Sequence, residues 1–158
     1  VIKLNIDASN IEMLSAEFFM YEALKEAVKA NDEGEIPIGA VVVHNNKIIA
    51  RAHNQTQLLN DVTAHAEMLA ITAATNYIGA KYLIDCSLFV TVEPCVMCAG
   101  ALYWSQVAQI YYGVSDSKRG HTMFSNKLLH PKTIINTGIF EEECKRLMQD
   151  FFKNKREN

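Results

Sequence analysis

Two short runs carry side chains that could do chemistry together: His65-Ala66-Glu67 and Pro94-Cys95-Val96-Met97-Cys98. Cys95 and Cys98 are three residues apart, so at a helix start both sulfurs lie on one side, one turn apart. The unpaired N–H groups and the positive dipole end of a helix start favour thiolate over thiol. Pro94 suits the first helical position, where there is no N–H bond to lose. Two thiolates and one imidazole make three protein ligands for a borderline-soft cation such as Zn²⁺. Three ligands leave a fourth position for water, whose pKa such an ion lowers toward ~7. His65 and Glu67 would sit ~200° apart on a helix, so they converge only where the helix begins, with the ion beyond its end. A carboxylate beside the ion, not ligating it, could take a proton from the water and pass it to a substrate. Cys95 and Cys98 alone would also fit a structural zinc knuckle or a redox pair. A closed structural site needs a fourth Cys or His, yet Cys86 and Cys144 lie at a strand start and on a helix face with no partner nearby. Taken with His65, Glu67 and Pro94, the set reads as catalytic zinc.

The elements that must position these residues follow from periodicity. Ser15, with Glu17 close behind, starts a helix whose apolar positions Phe18, Phe19, Ala23, Leu24, Ala27 and Val28 recur until Asn31-Asp32. Residues 1–14 read as a loose leader, and residues 15–158 as a single domain. Gly39–His44 and Lys47–Ala52 form a predicted hairpin about Asn45-Asn46. A second helix is predicted from near Thr63 to Asn76, and a buried strand over Ser87–Val92, ending at Glu93-Pro94. A third helix follows over Cys95–Trp104, then a strand over Gln109–Gly113, an irregular stretch over Asp116–Pro131, and an amphipathic helix over Glu141–Lys153. Helices alternating with strands predict a three-layer α/β/α sandwich around a mixed sheet of about five strands.

The chain of 158 residues is 49% apolar and 21% charged, enough for a sizeable core and against global disorder. No apolar run reaches the ~20 residues of a membrane-spanning helix. With no basic segment leading into an apolar run at the start, and with cysteines spaced for a metal, the sequence reads as a soluble, intracellular and cytoplasmic chain. The formal net charge of −3 hides a split. Residues 1–117 hold six Lys and Arg against 13 Asp and Glu, whereas residues 118–158 hold nine against five. A basic C-terminal third suits either a phosphate-contacting surface or a solvated loop and a Lys-rich helix end.

His-Ala-Glu followed, after a strand, by Pro-Cys-x-x-Cys resembles the cytidine deaminase superfamily. The wider chain is similar to one branch of it, the bacterial tRNA-specific adenosine deaminases, which convert the wobble adenosine of an anticodon to inosine. The supporting stretches are Glu35–Val41, Asp61–Glu67 and Thr91–Ala101, extended by Tyr112-Gly113, Asp116 and Asp150-Phe151-Phe152. The resemblance implies that His65, Cys95 and Cys98 hold one zinc per subunit and that Glu67 shuttles protons. It implies hydrolytic attack at C6 of an unstacked adenine in an anticodon loop, and a homodimer whose partner completes the RNA surface. Asn54 falls where the family hydrogen-bonds the purine, and an amide suits a purine edge. Ile36, Pro37 and Val92 would wall the pocket, and backbone N–H groups near Ala66 and Cys95 would assist. Asp116 would contact nucleic-acid backbone or sugar. Phe152 fits either an aromatic near the flipped base or a helix-end core residue.

The chain departs from the family between residues 115 and 134. Ser115 stands where many members have a basic residue, Gly120–Phe124 replaces a stretch rich in small residues, and His130-Pro131 leads into Lys132-Thr133-Ile134 without the usual Asn-His pair. His121 and His130 are expected as loop or RNA-contact residues, His44 as a hairpin side chain and His53 as a strand-end one. The alternatives are a deaminase of free guanine, cytosine or cytidine, and a non-catalytic zinc-stabilised RNA-binding subunit.

Overall fold

A computed structural model describes residues 2–158. Helix α1 (Ala16–Asp32) starts where the Ser15 hydroxyl accepts the Phe18 N–H at 3.1 Å. Strands β1 (Gly39–His44) and β2 (Lys47–His53) form the predicted hairpin, with Asn45 and Asn46 both at positive φ, as a tight right-twisting turn requires. Helix α2 (Ala66–Ile78), strand β3 (Cys86–Val92), helix α3 (Val96–Ser105) and strand β4 (Gln109–Val114) follow, then β5 (Ile134–Thr137) and helix α4 (Glu141–Glu157). The sheet order is β2-β1-β3-β4-β5. β1 is antiparallel to both neighbours, while β3, β4 and β5 are parallel.

The strands' two-residue period divides the core. Ala40, Val42, Leu88 and Val90 pack with Ala66, Ala70 and Ala74 of α2 and with Ala99 and Leu102 of α3. Val41, Val43 and Phe89 turn the other way, onto Phe19, Met20 and Ala23 of α1. Leu24 and Ala27 of α1 then meet Cys144 and Leu147 of α4. The result is the expected three-layer α/β/α sandwich with a mixed five-stranded sheet.

Four local features differ from the sequence reading. α2 begins at Ala66, not near Thr63, because the Asp61 carboxylate takes the Thr63 N–H and hydroxyl at 2.8 and 2.7 Å and holds residues 61–63 in a turn. α3 begins at Val96, so Cys95 occupies the cap and Pro94 lies one residue outside rather than at the first helical position. β5 is a four-residue edge strand with Ile134 58% exposed, so no inward–outward alternation marked it. The leader is not loose throughout, since Ile2, Leu4 and Ile6 pack against the α1–α4 cluster and Lys3 O accepts the Arg146 Nη2 hydrogen at 2.8 Å.

α1 lies close on β1. A Cβ at Gly39 would sit 2.1 Å from Ala23 O and 2.4 Å from Ala27 N, both rigid helix backbone. Gly39→Ala is therefore expected to cost about 3 kcal/mol of stability through overpacking, read as a lowered urea midpoint at unchanged slope.

Candidate metal centre and active site

Two helix starts meet at one point. His65 caps α2 with extended backbone, and Cys95 does the same for α3, each without a side-chain cap bond. Glu67 is the second residue of α2 and Cys98 the third of α3. His65 lies off the end of its helix while Glu67 is in the first turn, so the two converge as the spacing predicts.

The His65 Nδ1 atom is 3.6 Å from Cys95 Sγ and 3.5 Å from Cys98 Sγ. A tetrahedral zinc with N and S ligands at about 2.1 and 2.3 Å requires those atoms to be roughly 3.6 Å apart. The residues present fit the ion. All three ligand atoms lie within 4.8 Å of one another, and among the described residues they form the one such group of His, Cys, Asp and Glu. Cys86 and Cys144 are buried elsewhere and take no part.

Considering protein groups alone, a hydrogen bond from Cys98, helped by one from His65, draws the Cys95 thiol down to about 4. The Cys98 thiol is pushed far above its ordinary value by its bond to that sulfur and by burial. His65 is raised chiefly by its contact with Cys95. Burial pushes the Glu67 carboxyl up to about 7. A carboxyl that holds a proton near neutrality is suited to passing one.

The cluster opens into a cleft of about 630 Å³. Ile36, Asn54, Ala66, Glu67, Val92, Cys95, Asp116 and Phe152 all line it, which gathers residues spread over more than a hundred positions. Pro37, expected as a wall, is buried and does not line the cleft. Its neighbours Ile36 and Ile38 do, as alternation in an extended segment dictates. Asn54 is buried, its Oδ1 accepting the Thr56 N–H at 3.3 Å and its Nδ2 donating to Ile36 O at 3.4 Å. Asp116 Oδ1 accepts the N–H groups of Lys118 and Arg119, both at 3.0 Å. Phe152 stands edge-on to Phe151 at 5.3 Å; Phe151 is the buried core residue and Phe152 lies 39% exposed on the cleft.

Further residues join the site, and of these the sequence reading anticipated only the cations. Lys118, Arg119, Lys145 and Arg156 line the cleft and form no ion pair among the described residues. Their signal was the basic C-terminal third. Glu35, 1% exposed, accepts the Gln57 and Leu58 N–H groups at 3.0 and 2.8 Å and so folds the loop beside Asn54. Glu93 does the same for the loop after β4. His121, expected as a loop or RNA-contact residue, is instead 2% exposed and bonded inside the fold. His130 lies against Tyr103 at 5.5 Å, and His53 bonds Glu33 at 2.9 Å at the end of β2.

Residues 13–114 match the family model for the cytidine and deoxycytidylate deaminase zinc-binding region. The tRNA-specific adenosine deaminase of Aquifex aeolicus is 40% identical over 149 residues, 92% of this chain and 99% of that one. A solved tRNA:A34 deaminase, described as editing A to I at the wobble position of transfer RNA, superposes with a TM-score of 0.77. It is 38% identical, with 82% of this chain and 98% of that one covered. The guanine deaminase of Bacillus subtilis superposes with a TM-score of 0.63 at 36% identity, covering 71% and 70%.

Proposed function

Since the chain belongs to the cytidine and deoxycytidylate deaminase zinc-binding family, in the branch of the tRNA-specific adenosine deaminases, we propose that it hydrolyses the exocyclic amine of the wobble adenosine in tRNA. The products are inosine and ammonia. The observation that carries the reading is the coincidence of three candidate metal ligands and a buried carboxyl on one cleft with four cations that form no ion pair among the described residues.

His65, Cys95 and Cys98 would hold one zinc ion, which when bound supplies the Lewis acidity that makes water nucleophilic at neutral pH. Glu67 Oε would take one proton from the attacking water and pass it to the purine ring nitrogen, then take the second from the hydroxyl added at C6 and give it to the departing amine, which leaves as ammonia. Asn54 offers an amide to the purine edge, and Ile36 and Val92 exclude solvent around it. The Ala66 and Cys95 backbone groups lie beside the reacting carbon. Phe152 stacks near a base, and Asp116 with its neighbouring cations meets the ribose-phosphate backbone. An adenine in a duplex cannot enter such a cleft, so a splayed loop nucleotide is the substrate. We read residues 15–158 as one deaminase domain behind the 1–14 leader, acting as a homodimer in the cytoplasm with tRNA as partner. No helix of the described residues is long and apolar enough to cross a membrane.

The test is incubation with a tRNA whose anticodon begins with A, beside free guanine, cytosine and adenosine. Inosine after nuclease digestion and chromatography supports the reading. Ammonia from a free base with no inosine in tRNA supports the free-base alternative, which the similarity to a guanine deaminase favours. Asn54→Ala is expected to lower kcat/KM on tRNA by about 100-fold, the cost of one buried specific hydrogen-bonding group, measured under subsaturating substrate.

A further inference from the structure

Glu93 directly follows strand β3, two residues before the metal ligand Cys95, and its side chain is buried, with the His121 Nδ1 atom 3.5 Å from its Oε2. Its oxygens are satisfied by the loop that follows β4. Oε1 accepts the Asp116 N–H at 3.1 Å; Oε2 accepts the Thr122 N–H at 3.0 Å and the Thr122 hydroxyl at 2.8 Å. One carboxylate therefore ties both ends of the segment that carries Lys118 and Arg119.

His121 fastens the same segment a second time. Its N–H donates to Pro94 O at 3.0 Å, and its Nδ1 meets the same oxygen at 2.9 Å. A carbonyl only accepts, so Nδ1 carries the hydrogen. Gly120 bridges to Cys95 as an isolated antiparallel pair. A Cβ on Gly120 would lie 2.3 Å from Glu93 Cδ and Oε2, so only glycine lets the loop close over the carboxylate.

We propose that Glu93 is a positioning residue: through Asp116, Thr122 and the Gly120–His121 contact with Pro94-Cys95, it holds the cationic loop of residues 116–122 at a fixed place relative to the metal centre. Glu93 acts on the substrate through the loop and performs no proton transfer. The role rests on the RNA reading for its substrate. A loop held this way sets how the nucleotides flanking the target are received, which is a binding term more than a chemical one.

Three variants test it, with substrate kinetics on an anticodon stem-loop, zinc content, and hydrogen exchange of the Asp116 and Thr122 amides. Glu93→Gln turns a donor toward groups that themselves donate. Gly120→Ala adds one methyl at a residue whose φ of −62° any residue adopts, so its effect is steric and not backbone strain. Both are expected to raise KM about tenfold with kcat within about threefold, and to speed exchange at both amides with one zinc retained per chain. Thr122→Val should shift KM the same way by a smaller factor, and Thr122→Ser should restore it. Unchanged exchange and KM in folded, zinc-loaded Gly120→Ala would overturn the proposal, as would a fall in kcat with KM unmoved. If wild type fails to edit the RNA, the functional reading falls, and the exchange data alone still decide whether Glu93 holds the loop.

Discussion

Glu67→Gln is expected to lose at least ~10³-fold in kcat on tRNA, since a carboxyl that both takes and returns a proton contributes toward the upper end of the range for general acid–base catalysis. The substitution is nearly isosteric, and KM should change little, because the amide still fills the same space beside the ligands. Among the described residues no other carboxylate of the cleft is free for the role. Three carboxylates line the cleft, and the other two are committed. Glu93 accepts three hydrogen bonds from the Asp116–Thr122 loop, and Asp116 Oδ1 caps the turn through Lys118 and Arg119. Stability separates this loss from unfolding. Glu67 is 3% exposed, and burial disfavours its ionised form, a cost that a neutral amide avoids. The variant's Tm should accordingly equal or exceed that of wild type, with one zinc per chain by elemental analysis. Single-turnover editing within tenfold of wild type at full zinc loading would remove Glu67 from the mechanism.

The meeting of His65, Cys95, Cys98 and Glu67 at one point was legible because their spacing is local. His65 and Glu67 are two apart, Cys95 and Cys98 three apart, and helix geometry turns each spacing into a placement without knowledge of the rest of the chain. The α1 and hairpin boundaries were legible for the same reason, through Ser15 and Asn45-Asn46. What the sequence hid is carried by contacts between distant segments. Glu35 bonds backbone at Gln57 and Leu58, and Glu93 bonds backbone at Asp116 and Thr122. A carboxylate satisfied by main-chain N–H groups has no complementary residue type for a reader to find. His121 was misplaced on the surface because a histidine in a polar loop gives no sign that Pro94 O awaits it. Pro37 was expected as a wall beside Ile36 from the resemblance alone, but neighbours in an extended segment face opposite ways, so Ile36 and Ile38 reach the cleft and Pro37 does not. β5 escaped because an edge strand bonded on one side needs no buried face.

Cys98→Ala is expected to abolish both zinc binding and editing, and to lower Tm by roughly 10 °C, as loss of about 4 kcal/mol of ligand-linked stability does in a chain of this size. Cys98 is fully buried, and Ala66 and Ala70 of α2 share one core cluster with Ala99 of α3. A bound ion would thus join two helix starts that the core already brings together, and its loss should loosen this corner without dissolving the sheet. Two controls make the result specific. Cys86→Ala and Cys144→Ala remove thiols that are buried elsewhere, so each should keep one zinc per chain and its editing activity. The second control compares proteins freed of metal. If the stabilising effect of Cys98 runs through the ion, chelator-treated wild type and Cys98→Ala should melt within about 2 °C of each other, because a methyl replaces only a small thiol. A gap of several degrees that persists after chelation would mean that Cys98 stabilises by packing. Zinc retained at full stoichiometry in Cys98→Ala would remove it from the ligand set altogether.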